Sequence, residues 1–234
     1  MADVFKCVAI ETATERCSVA AGDGRQREVI HLTSARNSSG EVYAAIQDVM
    51  DRVSMDITDL SCVAFGCGPG SFTGLRIAAG AAQALAYSRG IPVCRVSTLA
   101  AMALTAARMH GQELIAPCLD ARRGEAYLGM YRYEKVTSVD FERDQVEALQ
   151  PDQLLAPEEI QLPTQHAGWL AAGPGWDVWP EVTARNAVAT KIVAAEIWPD
   201  AGAVLDLAQS EFSAGNTVAA ADALPNYIRN KVTG

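Results

Sequence analysis

The chain has 234 residues, half of them hydrophobic, and carries 19 Lys/Arg against 28 Asp/Glu for a formal net charge of −9. That length can bury one large core or two modest ones. An acidic chain without a basic cluster lacks the cations that displace counterions from a polynucleotide, which excludes a strong grip on nucleic acid by this chain alone.

The six cysteines, Cys7, Cys17, Cys62, Cys67, Cys94 and Cys118, contain no C-x-x-C pair, and several interrupt apolar runs where a small thiol packs well. They are expected to be reduced packing residues. The opening Met-Ala-Asp-Val-Phe-Lys lacks the apolar run of a signal peptide, and no 18 apolar residues follow one another. A soluble, cytoplasmic protein that does not meet the membrane is expected.

In chain order, three β-like runs come first: Phe5 to Ile10, Cys17 to Ala21 and Glu28 to Thr33, with Gly22-Asp23-Gly24 turning between the last two. Val42, Ala45, Ile46, Val49 and Val53 then recur at helical spacing over Gly40 to Val53. A strand Cys62 to Phe65 leads into Gly66-Cys67-Gly68-Pro69-Gly70-Ser71-Phe72-Thr73-Gly74-Leu75-Arg76, and a small-residue helix follows from about Ser71 to Ser88. Leu75, Ala79, Ala82 and Ala86 fall on one face of that helix and Thr73, Ile77, Gly80 and Ala84 on the other, with Arg76, Gln83 and Tyr87 as a polar stripe. Both faces are apolar, so the sheet of its own subunit should cover one and another element the other. That element is either a helix of the same subunit or a partner.

Ile91 to Val96 reads as a strand, and Ser97 can cap a helix running to about Met109. After Gly111 a similar order restarts with strands at Leu114 to Leu119, Ala126 to Tyr131 and Val136 to Phe141. Trp169 to Ala172 before Gly173-Pro174-Gly175 resembles another strand and glycine turn. Pro199 can open a last helix carrying Val204, Leu207, Ala208 and Phe212 on one face. Two βββαβα units, the second degenerate, suggest an α/β chain of the ribonuclease H-like, actin-like (ASKHA) architecture. The expected lobes are 1–110 and 111–234, with about the last 30 residues packing back on the first.

The glycine-rich turn is not a Walker motif, because Leu75 and Arg76 stand where Lys and Ser/Thr are required, and Ser71 breaks the Rossmann spacing. Ser71 is no nucleophile elbow either, since Thr73 replaces the needed glycine; it reads as a helix cap. In catalytic actin-like proteins the first turn carries an acidic residue near phosphate and metal, the place held here by Glu11. Glu11 could hold a hydrated magnesium ion. The plainer alternative is that Thr12 and Thr14 satisfy turn amides while Glu11 pairs with a neighbour. His31, His110 and His166 lie far apart, and no zinc motif exists. Asp120-Ala121-Arg122-Arg123-Gly124-Glu125 could touch a nucleotide or protein, or form a solvated hairpin.

Ile10-Glu11-Thr12-Ala13-Thr14, Gly68 to Arg76, Asp120-Ala121-Arg122 with Gly124-Glu125 and Tyr127, and Pro225-Asn226-Tyr227-Ile228-Arg229 together resemble the bacterial TsaB (YeaZ) family. The resemblance implies a noncatalytic subunit of the machinery that places a threonylcarbamoyl group on the adenosine beside the anticodon of tRNAs reading ANN codons. It implies as partners a TsaD-type catalytic paralogue, whose metal is held by a His-x-x-x-His pair, and a TsaE-type P-loop ATPase. The chain should self-associate as a homodimer when alone and meet tRNA only through the complex. No cofactor is implied for this subunit; ATP and the metal belong to its partners. This chain lacks that His pair, reading Arg36-Asn37-Ser38-Ser39-Gly40-Glu41 in the corresponding region, where many relatives have His-Ser-Glu.

The partner surface so implied comprises Glu41, Ala45, Ser71, Thr73, Gly74, Arg76, Ile77, Gly80, Ala84 and Tyr87. Weak nucleotide contacts, if made, would use Glu11, Gly68, Gly70 and Ser71. The competing readings are an independent actin-fold ATPase or small-molecule kinase and an interaction module in cell-wall or stress control. A peptidase has neither metal ligands nor a nucleophile with its base.

Overall fold

A computed structural model describes residues 5–24, 26–32, 39–137 and 142–228. Expectations touching Met1 to Val4, Thr33, Arg36 to Ser38, Phe141 and Arg229 to Val232 lie outside them. The chain divides into two compact units, one comprising residues up to Ala101 with Asp200–Asn226, the other Met102–Pro199 with the chain end from Tyr227. The expected boundary after residue 110 is therefore displaced into a helix, and the returning segment leaves the second unit.

In the first unit, strands β1 (Cys7–Glu11), β2 (Cys17–Gly22), β3 (Arg27–Leu32), β4 (Cys62–Gly66) and β5 (Val93–Val96) form one sheet in the order β3-β2-β1-β4-β5. The first three make an antiparallel meander, and β4 and β5 join in parallel. β1, β2 and β4 are buried throughout. Such near-continuous apolar runs, interrupted only by the buried Glu11 and Ser18, are expected of strands covered on both faces. Helices α1 (Ser39–Arg52) and α2 (Phe72–Arg89) bury Val42, Ile46, Val49, Ala78 and Ala82 in one core with Val8, Ile10, Val63 and Phe65. Helix α3 (Thr98–His110) begins after Ser97, whose Oγ accepts from the amides of Leu99 and Ala100 at 3.1 and 3.2 Å.

The second unit repeats the plan. Strands β6 (Leu114–Arg122), β7 (Glu125–Thr137), β8 (Glu142–Leu155), β9 (Trp169–Ala172) and β10 (Thr190–Ala194) lie in the order β10-β9-β6-β7-β8, again antiparallel for three strands and parallel for two. Where the first unit has α1, this one has only a 3-10 turn, Pro157–Glu159, and two short helices, α4 (Gly175–Val178) and α5 (Pro180–Arg185), replace α2. The architecture is thus actin-like, with a degenerate second half. Of the expected strand Val136 to Phe141, Val136 and Thr137 are instead the last two residues of β7 and the rest lies outside the described residues; the third strand of the meander is the 14-residue β8.

Helix α6 (Ala201–Ser213) returns to the first sheet, packing across β1, β2, β4 and β5. Its N-cap is Asp200, whose carboxylate accepts from the Gly202 amide at 2.8 Å, so Pro199 precedes the cap instead of opening the helix. Ser18 Oγ accepts from the Ala201 amide at 2.9 Å, and Arg27 pairs with Asp206, tying α6 to the meander.

Candidate partner interface and the glycine-rich junction

Ser71 ends the glycine-rich turn as the N-cap of α2, its Oγ accepting from the Gly74 amide at 3.4 Å, and Gly90 closes the helix in the left-handed conformation. Along α2, Gly74, Leu75, Ala78, Ala79, Ala82 and Ala86 are buried. Phe72, Thr73, Arg76, Gly80, Ala84 and Tyr87 are exposed, with Ile77 half-buried. Among the described residues, no helix of its own unit covers this stripe on the face opposite the sheet.

Between that stripe and α1 lies a groove of about 380 Å³ lined by Ser39, Tyr43, Phe72, Thr73, Arg76, Ile77, Gly80 and Ala81. The Arg76 guanidinium sits 3.8 Å from the centroid of the Phe72 ring, a cation–π contact at the groove wall. At Gly80 an added Cβ would meet no atom within 4 Å. A helix-interior glycine that nothing in its own chain requires leaves a depression in the surface.

Of the ten expected partner residues, Glu41, Ser71, Thr73, Arg76, Gly80, Ala84 and Tyr87 are exposed, and Ile77 lines the groove. Two are corrected. Ala45 points into the core of the first unit, because it follows buried Val42 by three residues on the inner face of α1. Gly74 is buried against the Thr12 backbone, whose carbonyl approaches so closely that an added Cβ would collide with it. Two aromatic residues were missed, Tyr43 and Phe72, which are 44% and 50% exposed. Phe72 carries the one sequence signal available, a large ring at the first position of a helix otherwise built from small residues.

The glycine-rich turn itself is occupied by the chain. Glu11, at the end of β1, has no exposed surface; one carboxylate oxygen accepts from the Ala13 amide at 2.7 Å and the other from the Thr98 hydroxyl at 3.2 Å. Gly66 is glycine because a Cβ would overlap that second oxygen. Burial pushes the Glu11 carboxyl up to about 7. The Ala13 carbonyl accepts from the Ser71 amide at 2.7 Å, and Thr12 Oγ1 donates to the Gly74 carbonyl at 2.7 Å. Gly68 accepts from the Thr98 amide at 2.9 Å, while the Asn226 amide donates to the Cys67 carbonyl at 2.7 Å.

A hydrated magnesium ion does not fit this carboxylate, because both oxygens are engaged and neither is open to water. The expected contacts are also redirected: Thr12 and Thr14 donate to carbonyls, and Glu11 itself takes a turn amide. Gly68 and Gly70 face Asn226 and Ala13, so the loop backs onto its own unit. Among the described residues no group of three or more potential metal ligands converges. Asp120 accepts from the Arg122 amide at 2.7 Å and pairs with its guanidinium at 3.1 Å across an exposed hairpin.

All six cysteines are buried and unpaired by disulfides, and no helix among the described residues is long and apolar enough to cross a membrane.

The TsaD family, described as tRNA N6-adenosine threonylcarbamoyltransferase, matches residues 28–229. The tRNA threonylcarbamoyladenosine biosynthesis protein TsaB of Haemophilus influenzae is 33% identical over 226 residues, covering 97% of this chain and 94% of that protein. TsaB of Escherichia coli is 33% identical over 229 residues, covering 97% and 96%. The solved structure of YeaZ from Pseudomonas aeruginosa superposes with a TM-score of 0.84 at 31% identity, covering 95% of this chain and 99% of that one. With matching sequence over nearly the whole length and the same paired sheets, the chain belongs to the TsaB (YeaZ) family of tRNA threonylcarbamoyladenosine biosynthesis proteins.

Proposed function

We propose that this chain is the noncatalytic subunit of the threonylcarbamoylation machinery, and that it binds a TsaD-type transferase through the outer face of α2 and the groove beside α1. The observation that carries this reading is the division of labour along α2. Its inner face and the glycine-rich turn are consumed by packing, while Phe72, Ile77, Gly80, Ala84 and Tyr87 form a stripe of apolar and small residues outside. Small residues let a second helix approach closely, and the neighbouring aromatic rings supply the area that dominates interface energies. A second copy of the chain would use the same stripe when the transferase is absent. The TsaE-type ATPase joins the pair, tRNA is held through the transferase, and the chain works in the cytoplasm without a cofactor of its own. Its acidity supports this division, since basic surface for RNA must then come from elsewhere.

Gly80→Arg tests the reading. Glycine costs a helix interior about 0.5–1 kcal/mol relative to arginine, so the variant should be as stable as the parent or more so. The same side chain fills the depression and buries a charge in the interface, and the affinity for the transferase, read by titration calorimetry, should fall at least a hundredfold. Full affinity in a folded Gly80→Arg protein would refute the proposed surface.

A further inference from the structure

Burying a carboxylate costs stability unless its hydrogen bonds offset the loss of water, and the contacts of Glu11 give that cost a structural task. Its first oxygen fixes the Ala13 amide; the carbonyl of the same Ala13 fixes the Ser71 amide; and Thr12, between them, ties its hydroxyl to the Gly74 carbonyl. These bonds are each 2.7 Å long and run from the end of β1 to the first turn of α2. The second oxygen takes the Thr98 hydroxyl, and the Thr98 amide holds Gly68 in the same loop. Phe72, Thr73 and Arg76, which line the groove, stand on the turn so held.

We infer that Glu11 is the positioning residue of the partner groove, setting the N-terminal turn of α2 through the β1–β2 turn. The inference rests on the reading of that groove as the partner surface. It goes beyond that reading in assigning affinity to a group with no exposed surface.

An ionised acceptor holds an amide more tightly than a neutral one. Burial places the titration of Glu11 at about 7, so its charge changes within the range where the protein can be assayed. The charged group acting on it is Asp200, the N-cap of α6, which lies 3.6 Å from His31 Nε2. The neighbours from β4 and α3 that touch it, Gly66 and Thr98, do not titrate.

The test is transferase affinity between pH 6 and 8 for the parent, Glu11→Gln, Thr12→Val and Gly80→Arg, all in a His31→Gln background that removes the neighbouring imidazole. Amide hydrogen exchange over residues 71–76 of the isolated chain is followed in parallel. The parent should bind roughly fivefold more tightly at pH 8 than at pH 6, the gain of one charge-assisted bond. Glu11→Gln should be flat at the weaker value, with faster exchange at the start of α2. Thr12→Val, which removes a strut without touching a charge, should weaken binding several-fold and keep the pH slope. A Glu11→Gln protein that retains the parent's slope and exchange overturns the positioning role. Unchanged binding by Thr12→Val overturns it as well, and does so even if Glu11→Gln fails to fold. Loss of binding by Gly80→Arg in the same series leaves the groove reading standing, so the two failures are separable.

Discussion

At the scale of single residues, the chain spends its most distinctive side chains on contacts with itself. Glu11 raises the sharpest energetic question, because its folded-state carboxyl titrates near 7 against 4.5 for a solvated glutamate, with desolvation as the largest cause. A raised carboxyl binds its proton more tightly in the folded state. Its contribution to stability is therefore fully present below about pH 4.5 and is lost as the pH rises through about 7. Glu11→Gln should remove that loss, flattening the stability profile between pH 5 and 8 and stabilising the protein at pH 8 by a few kcal/mol. Urea denaturation at several pH values reads this directly; parallel profiles for parent and variant would contradict the burial argument. Gly74 makes the complementary case. Its replacement by alanine drives a methyl into the Thr12 carbonyl, a backbone atom that cannot swing aside, and should cost more than about 2 kcal/mol in the same assay.

Among elements, α2 is the one whose two faces serve different ends. Ala84→Arg, like Gly80→Arg, should leave the helix folded, since Ala84 is exposed, and should weaken the self-association proposed for the isolated chain, lowering its sedimentation coefficient in sedimentation velocity. A dimer of unchanged strength would place self-association on another surface. Periodicity made this helix legible: Leu75, Ala79, Ala82 and Ala86 are buried and the opposite stripe is not. It could not distinguish Ala45 on α1, because an alanine fits a core and an interface equally well. The meander strands were visible as apolar runs, whereas β8 was not. Its sequence, ERDQVEALQPDQLL, is polar and contains Pro151, as suits the edge of a sheet where one side of the ladder faces no neighbour. The hub around Glu11 was hidden for a different reason. Thr98 and Gly66 lie 87 and 55 positions from it, and only the sheet order β1-β4-β5 brings them together.

For the molecule as a whole, two sheets of the same order carry unequal decoration. The first has α1 and α2 over its core; in the second a 3-10 turn and two short helices stand in their place. The chain then returns α6 to the first sheet, burying Ala201, Val204, Leu205, Leu207 and Ala208. A chain ending at Pro199 should lose cooperative unfolding of its first unit, because the apolar surface beneath α6 would face water. Thermal denaturation followed by circular dichroism checks this, and an undiminished transition would show that α6 is dispensable.

The central claim, a required subunit that does no chemistry itself, is tested most directly by reconstitution. Labelled threonine, ATP, bicarbonate, tRNA, a TsaC-type synthase, TsaD and TsaE are combined with this chain omitted, restored, or restored as Gly80→Arg. Incorporation into tRNA should depend on the chain, return with the parent, and stay at the omission level with the variant. Equal incorporation without the chain would contradict the account and direct attention to an activity of its own, beginning with ATP turnover.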